Sequence, residues 1–151
     1  MQRYSFQKYD KEKMCRAKAF FMPVSAKHSR EIAKFIVRKN ALKVMNELEQ
    51  VQKLKLVVPF TRFKKDMGHK RGIAAGRYPV KASKYIAELL KNALANAKQK
   101  GFAEQDMVIT HVNASLSLPK ERRRGKFTTF EIVLENAPAK KEKKQEKVEK
   151  K

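Results

Sequence analysis

The chain has 151 residues, a formal net charge of +22 and a hydrophobic content of 42%. The length suits one domain with tails, and the hydrophobic content excludes a chain that is disordered throughout. Because a small domain usually carries a charge of magnitude about 2–8, this positive excess predicts an anionic partner, with nucleic acid favoured and an anionic membrane surface as the alternative.

Residues 1–14 are polar and mixed in charge, and we expect them to form a basic arm. They contain no apolar core of about 7–15 residues, so no signal peptide is expected. Cys15 is the only cysteine, which excludes an internal disulfide and a cysteine-based zinc site. We expect it to be an unreactive side chain that fills space in the core, in a protein of the reducing cytoplasm. No run of about 18 apolar residues occurs, so no membrane-spanning helix is expected.

A strand and two helices are predicted after the arm. Arg16–Val24 has the composition of a short strand, and Pro23 restricts it to a sheet edge or a strand end. Ser25 is expected to cap the first helix and Asn40 the second. The apolar face of the second helix shows a three-residue repeat: Leu42, Met45, Leu48 and Val51.

The segment 58–81 (VPFTRFKKDMGHKRGIAAGRYPVK) is the most informative part of the chain. Seven cations accompany a single acid, Asp66, and aromatic rings and glycines lie between them. Such a segment cannot be buried, because its charges would lose their hydration with too few partners. It can lie along a polyanion, where cations pair with phosphates and rings stack on bases. The glycines match neither the Walker nor the GxGxxG pattern, and we expect them to supply positive φ angles and close approach to phosphates.

The clearest periodicity predicts a third helix over residues 82–100. Its apolar side chains fall at alternating spacings of three and one, as on one face of an α-helix. Gly101 is the expected residue after the C-cap, and Lys98 and Lys100 suit the negative end of the helix dipole. A basic amphipathic helix on a membrane is the alternative, but the alanine-rich stripe favours packing in a core.

Two strands, Met107–Leu118 and Lys126–Glu135, are predicted to form a projecting antiparallel hairpin joined by PKERRRG. Strict alternation puts His111 on one face and the following residues on the other: Val108, Thr110, Val112, Ala114, Leu116 and Leu118. Adjacent arginines at the turn repel one another unless a polyanion is present. The predicted organisation is an arm (1–14), one globular domain (15–136, with hairpin 107–135) and a disordered Lys/Glu tail (137–151).

No catalytic constellation is found. His28, His69 and His111 fall in different elements without a metal-binding spacing, and His69 suits a hydrogen bond to RNA. The helical acids Glu31, Glu47, Glu49 and Glu88 are interpreted as surface charge pairs. We therefore expect no enzymatic activity, no cofactor and no metal. An RNA-processing enzyme and a free nucleic-acid-binding module are the competing hypotheses.

Several linked motifs resemble one known family. They are RYSF at 3–6, VSAKHSREIAKFI at 24–36, VPFTRFKKDMGHKRG at 58–72, GRYPVKASKYIAELLKNALANAKQKG at 76–101 and VITHVNAS at 108–115. In this order they are similar to the universal large-subunit ribosomal protein family twenty-two, called seventeen in eukaryotic naming, in its archaeal and eukaryotic branch. The resemblance covers roughly residues 3–135.

The resemblance implies an α+β fold with a small three-stranded antiparallel sheet on three helices. It also implies a structural role in the large ribosomal subunit of the cytoplasm, with binding to its rRNA, support of early assembly and a hairpin at the nascent-peptide exit tunnel. Implied partners are rRNA, neighbouring ribosomal proteins and the nascent chain, with no membrane and no small-molecule substrate. The implied rRNA contacts are Arg62, Lys64, Lys65, His69, Lys70, Arg71, Arg77 and Lys81 from the loop, and Lys120, Arg122, Arg123, Arg124 and Lys126 from the hairpin.

Two departures from the family pattern are expected to matter. The turn PKERRRGK is shorter than the family's usual hairpin excursion, so the tip is expected to stop short of the tunnel constriction while still anchoring rRNA. In addition, Arg38-Lys39 stands where the family often has Arg-Gly-Lys, which predicts a slightly different bend between the first two helices.

Overall fold

A computed structural model of the protein describes residues 4–117 and 125–137. The elements in chain order are β1 (Met14–Met22), α1 (Ala26–Ile36), α2 (Ala41–Gln52), β2 (Val58–Pro59), β3 (His69–Lys70), β4 (Ala74–Arg77), α3 (Val80–Gln99), a 3-10 turn (Glu104–Asp106), β5 (Met107–Ser117) and β6 (Phe127–Asn136). Within these ranges three helices pack on a three-stranded antiparallel sheet, which confirms the predicted α+β class. The expected tail, beyond residue 137, lies outside the described residues.

The main sheet has the strand order β1-β6-β5, so the last strand in the sequence is the central one. Both neighbours pair with it in antiparallel register, for example Ala17 with Ile132 and Ala114 with Phe130. One face of this sheet packs on the helices. Its largest side chains, Phe130, Ile132 and Leu134, are fully buried there. Burial of such side chains contributes roughly 1.5–3 kcal/mol each.

The predicted alternation along β5 is wrong because the strand contains a bulge. The register slips between Ile109 and His111, so Thr110 is not matched with a residue of β6 in the strand pairing, although its hydroxyl donates to Glu135 at 2.9 Å. Odd-numbered residues face the helices before the bulge and even-numbered residues after it, as a one-residue insertion requires. Val108 and Ala114 therefore lie on opposite faces, although a strict two-residue repeat had placed them together.

The helix α3 lies against the sheet with a continuous apolar stripe, so the predicted core packing is confirmed. Ile86, Leu90 and Ala93 are fully buried. Cys15 Sγ on β1 lies 3.5 Å from the backbone oxygen of Ala93. Burial raises the pKa of the Cys15 thiol to about 11, against a smaller lowering by Lys100, so the thiol stays protonated and unreactive. No helix among the described residues is long and apolar enough to cross a membrane.

Of the three helix ends predicted from capping residues, two are confirmed, and the N-cap at Ser25 is the exception. Gly101 follows α3 with φ 79°, as predicted. Asn40 caps α2, because its side chain accepts hydrogen bonds from the amides of Leu42 and Lys43. Ser25 occupies the N-cap position of α1 but makes no capping hydrogen bond. Arg38 takes the left-handed conformation that glycine favours (φ 64°), so the turn between α1 and α2 is made without a glycine.

The segment 4–10 packs on the outer face of the main sheet. The Arg16 guanidinium lies over the rings of Tyr4 and Tyr9, 4.1 and 4.3 Å from their centroids. Ser5 donates from its amide and its hydroxyl to the carboxylate of Glu131, at 2.9 and 2.6 Å. Glu131 is only 4% exposed, and the Lys18 ammonium pairs with it at 2.5 Å. The arm therefore contributes hydrogen bonds that a buried carboxylate requires.

We predict that Asn40→Ala lowers the free energy of unfolding by about 1–2 kcal/mol, because two amides of α2 lose their acceptor. The same side chain also donates to the backbone oxygen of Gln105. Ser25→Ala is the matched control and should cost no more than a few tenths of a kcal/mol, since its hydroxyl caps nothing. Urea denaturation of both variants measures the difference, and equal losses would contradict the assignment of the caps.

Candidate nucleic-acid interface

The basic segment 58–81 is folded, although the sequence indicated only a loop. Its three short strands form a second sheet in the order β2-β4-β3. Gly72 turns the chain between β3 and β4 with φ 74°. Gly76 lies so close to the Val57 side chain that a Cβ atom there would clash with it. Two of the glycines thus shape this small sheet, and the predicted positive φ is found at Gly72.

The start of the basic segment is held by the carboxylate of Glu31. Its two oxygens accept hydrogen bonds from the backbone amides of Thr61, Arg62 and Phe63, at 3.0, 3.0 and 2.7 Å. Lys34 adds a hydrogen bond of 2.7 Å to the Thr61 hydroxyl. Three converging amides form a concave anion site, and here an acid of α1 fills it.

The interpretation of Glu31 as a surface charge is wrong, since the residue is 2% exposed. A signal was present: Ile32, Phe35 and Ile36 mark the apolar face of α1, and Glu31 lies one turn before Phe35 on that face. Burial acts to raise the pKa of Glu31, but the amides of Phe63, Thr61 and Arg62, together with Lys34, outweigh it and hold the pKa below its ordinary value. The carboxylate is therefore ionised at neutral pH.

Nine of the thirteen predicted contact residues lie in the described ranges, and all nine are exposed. They are Arg62, Lys64, Lys65, His69, Lys70, Arg71, Arg77, Lys81 and Lys126. None of them forms a salt bridge with another described residue. The other four, Lys120, Arg122, Arg123 and Arg124, lie outside the described residues. A field of exposed cations without internal partners is what a polyanion-binding surface requires.

The aromatic residues of the basic segment have different positions. Phe60 is 2% exposed and belongs to the core. Phe63 stays half-buried at the surface, with the guanidinium groups of Arg62 and Arg30 at 5.4 and 5.8 Å from its ring centroid. Tyr78 is also half-buried. Two of the three rings are thus accessible beside cations.

An open cleft of about 950 Å³ brings the two predicted basic segments together. Tyr78 and Lys81 come from the end of the basic segment, and Lys126 and Phe127 come from the base of the hairpin. The third wall contains His28, for which the sequence pattern predicts no role. The sequence could not reveal the cleft, because its walls come from three segments that are far apart in the chain, within residues 23–28, 78–82 and 125–127.

His28 is one of the polar residues that line this cleft. Its Nε2 atom is buried and has no hydrogen-bond partner among the described residues. Burial lowers the pKa of His28, and the positive charges of Lys64, Arg77 and Lys126 lower it further. The ring is therefore neutral at physiological pH, with a hydrogen-bonding atom available.

Glu47 and His111 make structural contacts. Glu47 pairs with Lys39 at 2.7 Å, as the surface-pair interpretation predicts. His111 lies on the outer face under the arm, where its ring centroid is 5.0 Å from that of Phe6. Within the described residues no group of three or more His, Cys, Asp or Glu side chains is placed to hold a metal.

Comparison with known proteins finds consistent matches. A family model described as ribosomal protein L22p/L17e matches residues 17–127. The large ribosomal subunit protein uL22 of Archaeoglobus fulgidus is 36% identical over 146 residues, which cover 87% of this chain and 94% of that protein. The proteins of the same name from Staphylothermus marinus and Yarrowia lipolytica are 38% and 35% identical, over 79% and 82% of this chain and 80% and 70% of their own lengths.

We predict that Glu31→Gln lowers the free energy of unfolding by about 1–3 kcal/mol at pH 7, because three backbone amides lose a charged acceptor. The folded-state pKa of Glu31 is depressed, so its stabilisation is present above the ordinary value of 4.5 and is lost as the pH falls through the folded-state pKa. The difference in free energy of unfolding between wild type and variant should therefore become smaller below pH 4.5.

Glu88→Gln, at an exposed position of α3, is the matched control. Urea denaturation across pH measures global stability, and hydrogen exchange at Thr61–Phe63 reports the anchor itself. Two outcomes would contradict the role of this carboxylate. One is a difference in unfolding free energy that stays constant down to pH 3, and the other is equal protection of these amides from hydrogen exchange in the Glu31 and Glu88 variants.

Proposed function

Because the chain belongs to the ribosomal protein L22p/L17e family, we propose that it binds large-subunit rRNA as a structural constituent of that subunit. The relatives are archaeal and eukaryotic, and they support the branch indicated by the sequence motifs. As a member of a family of structural ribosomal proteins, the protein is not an enzyme, and its location is the cytoplasmic large ribosomal subunit.

One observation carries the rRNA-binding proposal: the exposed cations of the basic segment and Lys126 have no acidic partners among the described residues. Unpaired surface cations of one sign repel one another and raise the free energy of the isolated protein. Phosphates relieve this repulsion and release condensed counterions. The second sheet supports this role. Its strands and the turns between them, residues 58–77, form a folded platform that holds the cations in place, whereas a flexible loop would lose conformational entropy on binding.

The mechanism is positioning by charge neutralisation. Phosphate contacts from the platform fix the orientation of the protein, while the accessible rings of Phe63 and Tyr78 offer stacking surfaces for unpaired bases. With cations on both the platform and the hairpin, one protein can contact two RNA segments and lower their mutual repulsion. That is how it would support subunit assembly.

The hairpin β5–β6 is proposed to approach the nascent-peptide exit tunnel, with the nascent chain as a further contact. This proposal rests on the family motifs. Its turn, including Arg122–Arg124, lies outside the described residues, and its shortness remains a prediction. Crosslinking from these arginines in assembled subunits distinguishes the outcomes: crosslinks to rRNA alone fit a short tip, and crosslinks to nascent chain fit a tip inside the tunnel.

We predict that the triple variant Lys64→Ala, Lys65→Ala, Arg71→Ala binds an rRNA fragment more weakly and with a weaker salt dependence. Each lost phosphate contact should reduce the slope of log K against log salt by about 1. The matched control removes three exposed cations of the helical body, Lys43, Lys53 and Lys91. Filter binding at several salt concentrations measures the affinity and the slope for both variants. Equal losses of affinity and slope in the two variants would contradict the role of the platform in rRNA binding.

We also predict that the tagged protein sediments with the large subunit in a sucrose gradient of cell extract and leaves it only at high salt. Protein that remains in the light fractions at low salt would instead indicate a free nucleic-acid-binding module. The triple variant provides the internal comparison, since it should leave the subunit at lower salt than the control variant.

A further inference from the structure

The cleft between α1, α3 and the base of the hairpin has the features of a ligand site. Its volume of about 950 Å³ lies within the range of about 300–1,000 Å³ that is usual for small-molecule sites. We propose that it receives a single unpaired nucleotide of the bound RNA, with the base against the aromatic wall and the phosphate at the cationic rim. This inference rests on the proposed rRNA binding and identifies which chemical unit of the RNA the cleft takes.

The walls suit a flat, partly apolar ring. Tyr78 and Phe127 line the cleft, and both are half-buried, so a face or edge of each ring is held in place while some of it stays accessible. Gly125 keeps the Phe127 ring against the backbone, since a Cβ atom at that position would lie 2.6 Å from the ring. Val80 adds an apolar surface that is 39% exposed. Stacking on such rings tolerates any base, because every base has a π face.

The charges suit a phosphate. Lys81 and Lys126 line the rim, and none of the described residues that line the cleft is acidic. Two helices also begin at this cleft: α1 follows Ser25, and the first turn of α3 includes Val80 and Lys81. Neither helix has an acid in its first turn, so the positive ends of both dipoles add to the lysines. An anionic ligand is favoured over a neutral one.

Two residues that line the cleft, Ser25 and His28, carry polar atoms that could serve a base edge. The Ser25 hydroxyl lines the cleft but caps no amide of α1. The Nε2 atom of His28 is buried without a partner among the described residues, and the ring is fixed edge-on to Phe60 at 5.3 Å. A buried hydrogen-bonding atom without a partner costs free energy, and a base edge would recover it once a small movement of the cleft wall exposed Nε2. An acidic peptide of a neighbouring protein would satisfy the lysines but would leave the aromatic wall unused.

The test compares two RNA duplexes of the same sequence, one fully paired and one with a single bulged 2-aminopurine. Wild-type protein should bind the bulged duplex about tenfold more tightly and quench the fluorescence of the 2-aminopurine, because the unpaired base stacks on an aromatic ring of the cleft. Tyr78→Ala should abolish the preference and the quenching, and Tyr78→Phe should keep both. Val80→Glu, which changes an exposed position, should also abolish the preference by placing a carboxylate in the cleft.

Lys81→Ala should reduce the preference for the bulged duplex. Lys84→Ala, one turn further along α3 and also exposed, should weaken both duplexes equally and so serves as the matched control. Circular dichroism confirms that each variant is folded. Equal wild-type affinity for the two duplexes, or a preference that survives both Tyr78→Ala and Val80→Glu, overturns the cleft proposal and leaves rRNA binding intact. Failure of wild-type protein to bind either duplex or an rRNA fragment overturns the proposed function as well.

Discussion

The carboxylate of Glu31 connects the core of the protein to its basic surface, and the geometry of the interface depends on this connection. Three amides at Thr61–Phe63 bind the carboxylate, which holds the start of the basic segment against α1 and so helps to fix where the second sheet lies. A platform that carries many like charges tends to open by self-repulsion. An internal anion held by three hydrogen bonds opposes that tendency without occupying any cation that RNA would need.

Glu131 is a second buried carboxylate that joins distant parts of the chain. The chain has 15 acidic residues against 37 lysines and arginines, and two of the acids are buried where they join distant segments. Glu131 receives the arm through Ser5 and the edge strand β1 through Lys18. Burial alone would raise the pKa of Glu131, but the Lys18 and Ser5 hydrogen bonds outweigh it and lower the pKa. Two acids are thus used inside, and the cations of the basic segment remain exposed for a partner.

The sequence predicts what local chemistry decides and misses what distant segments decide. The stripe of α3, the Asn40 cap and the exposure of the loop cations follow from periodicity, side-chain geometry and the cost of burying charge. The bulge at Thr110 does not follow, because register depends on how β6 pairs with two strands at once. The cleft around His28 does not follow either, since it exists only after three segments far apart in sequence have met.

The central position of β6 also constrains when the protein can fold. Its pairing partner β1 begins at Met14, whereas β6 ends at Asn136, so the main sheet cannot close until nearly the whole ordered chain has been synthesised. Until then β1 and β5 both have unpaired edges, and the apolar face of α3 has only part of its cover. Such a chain, of high contact order and high positive charge, folds late and in the meantime attracts any polyanion or exposed strand.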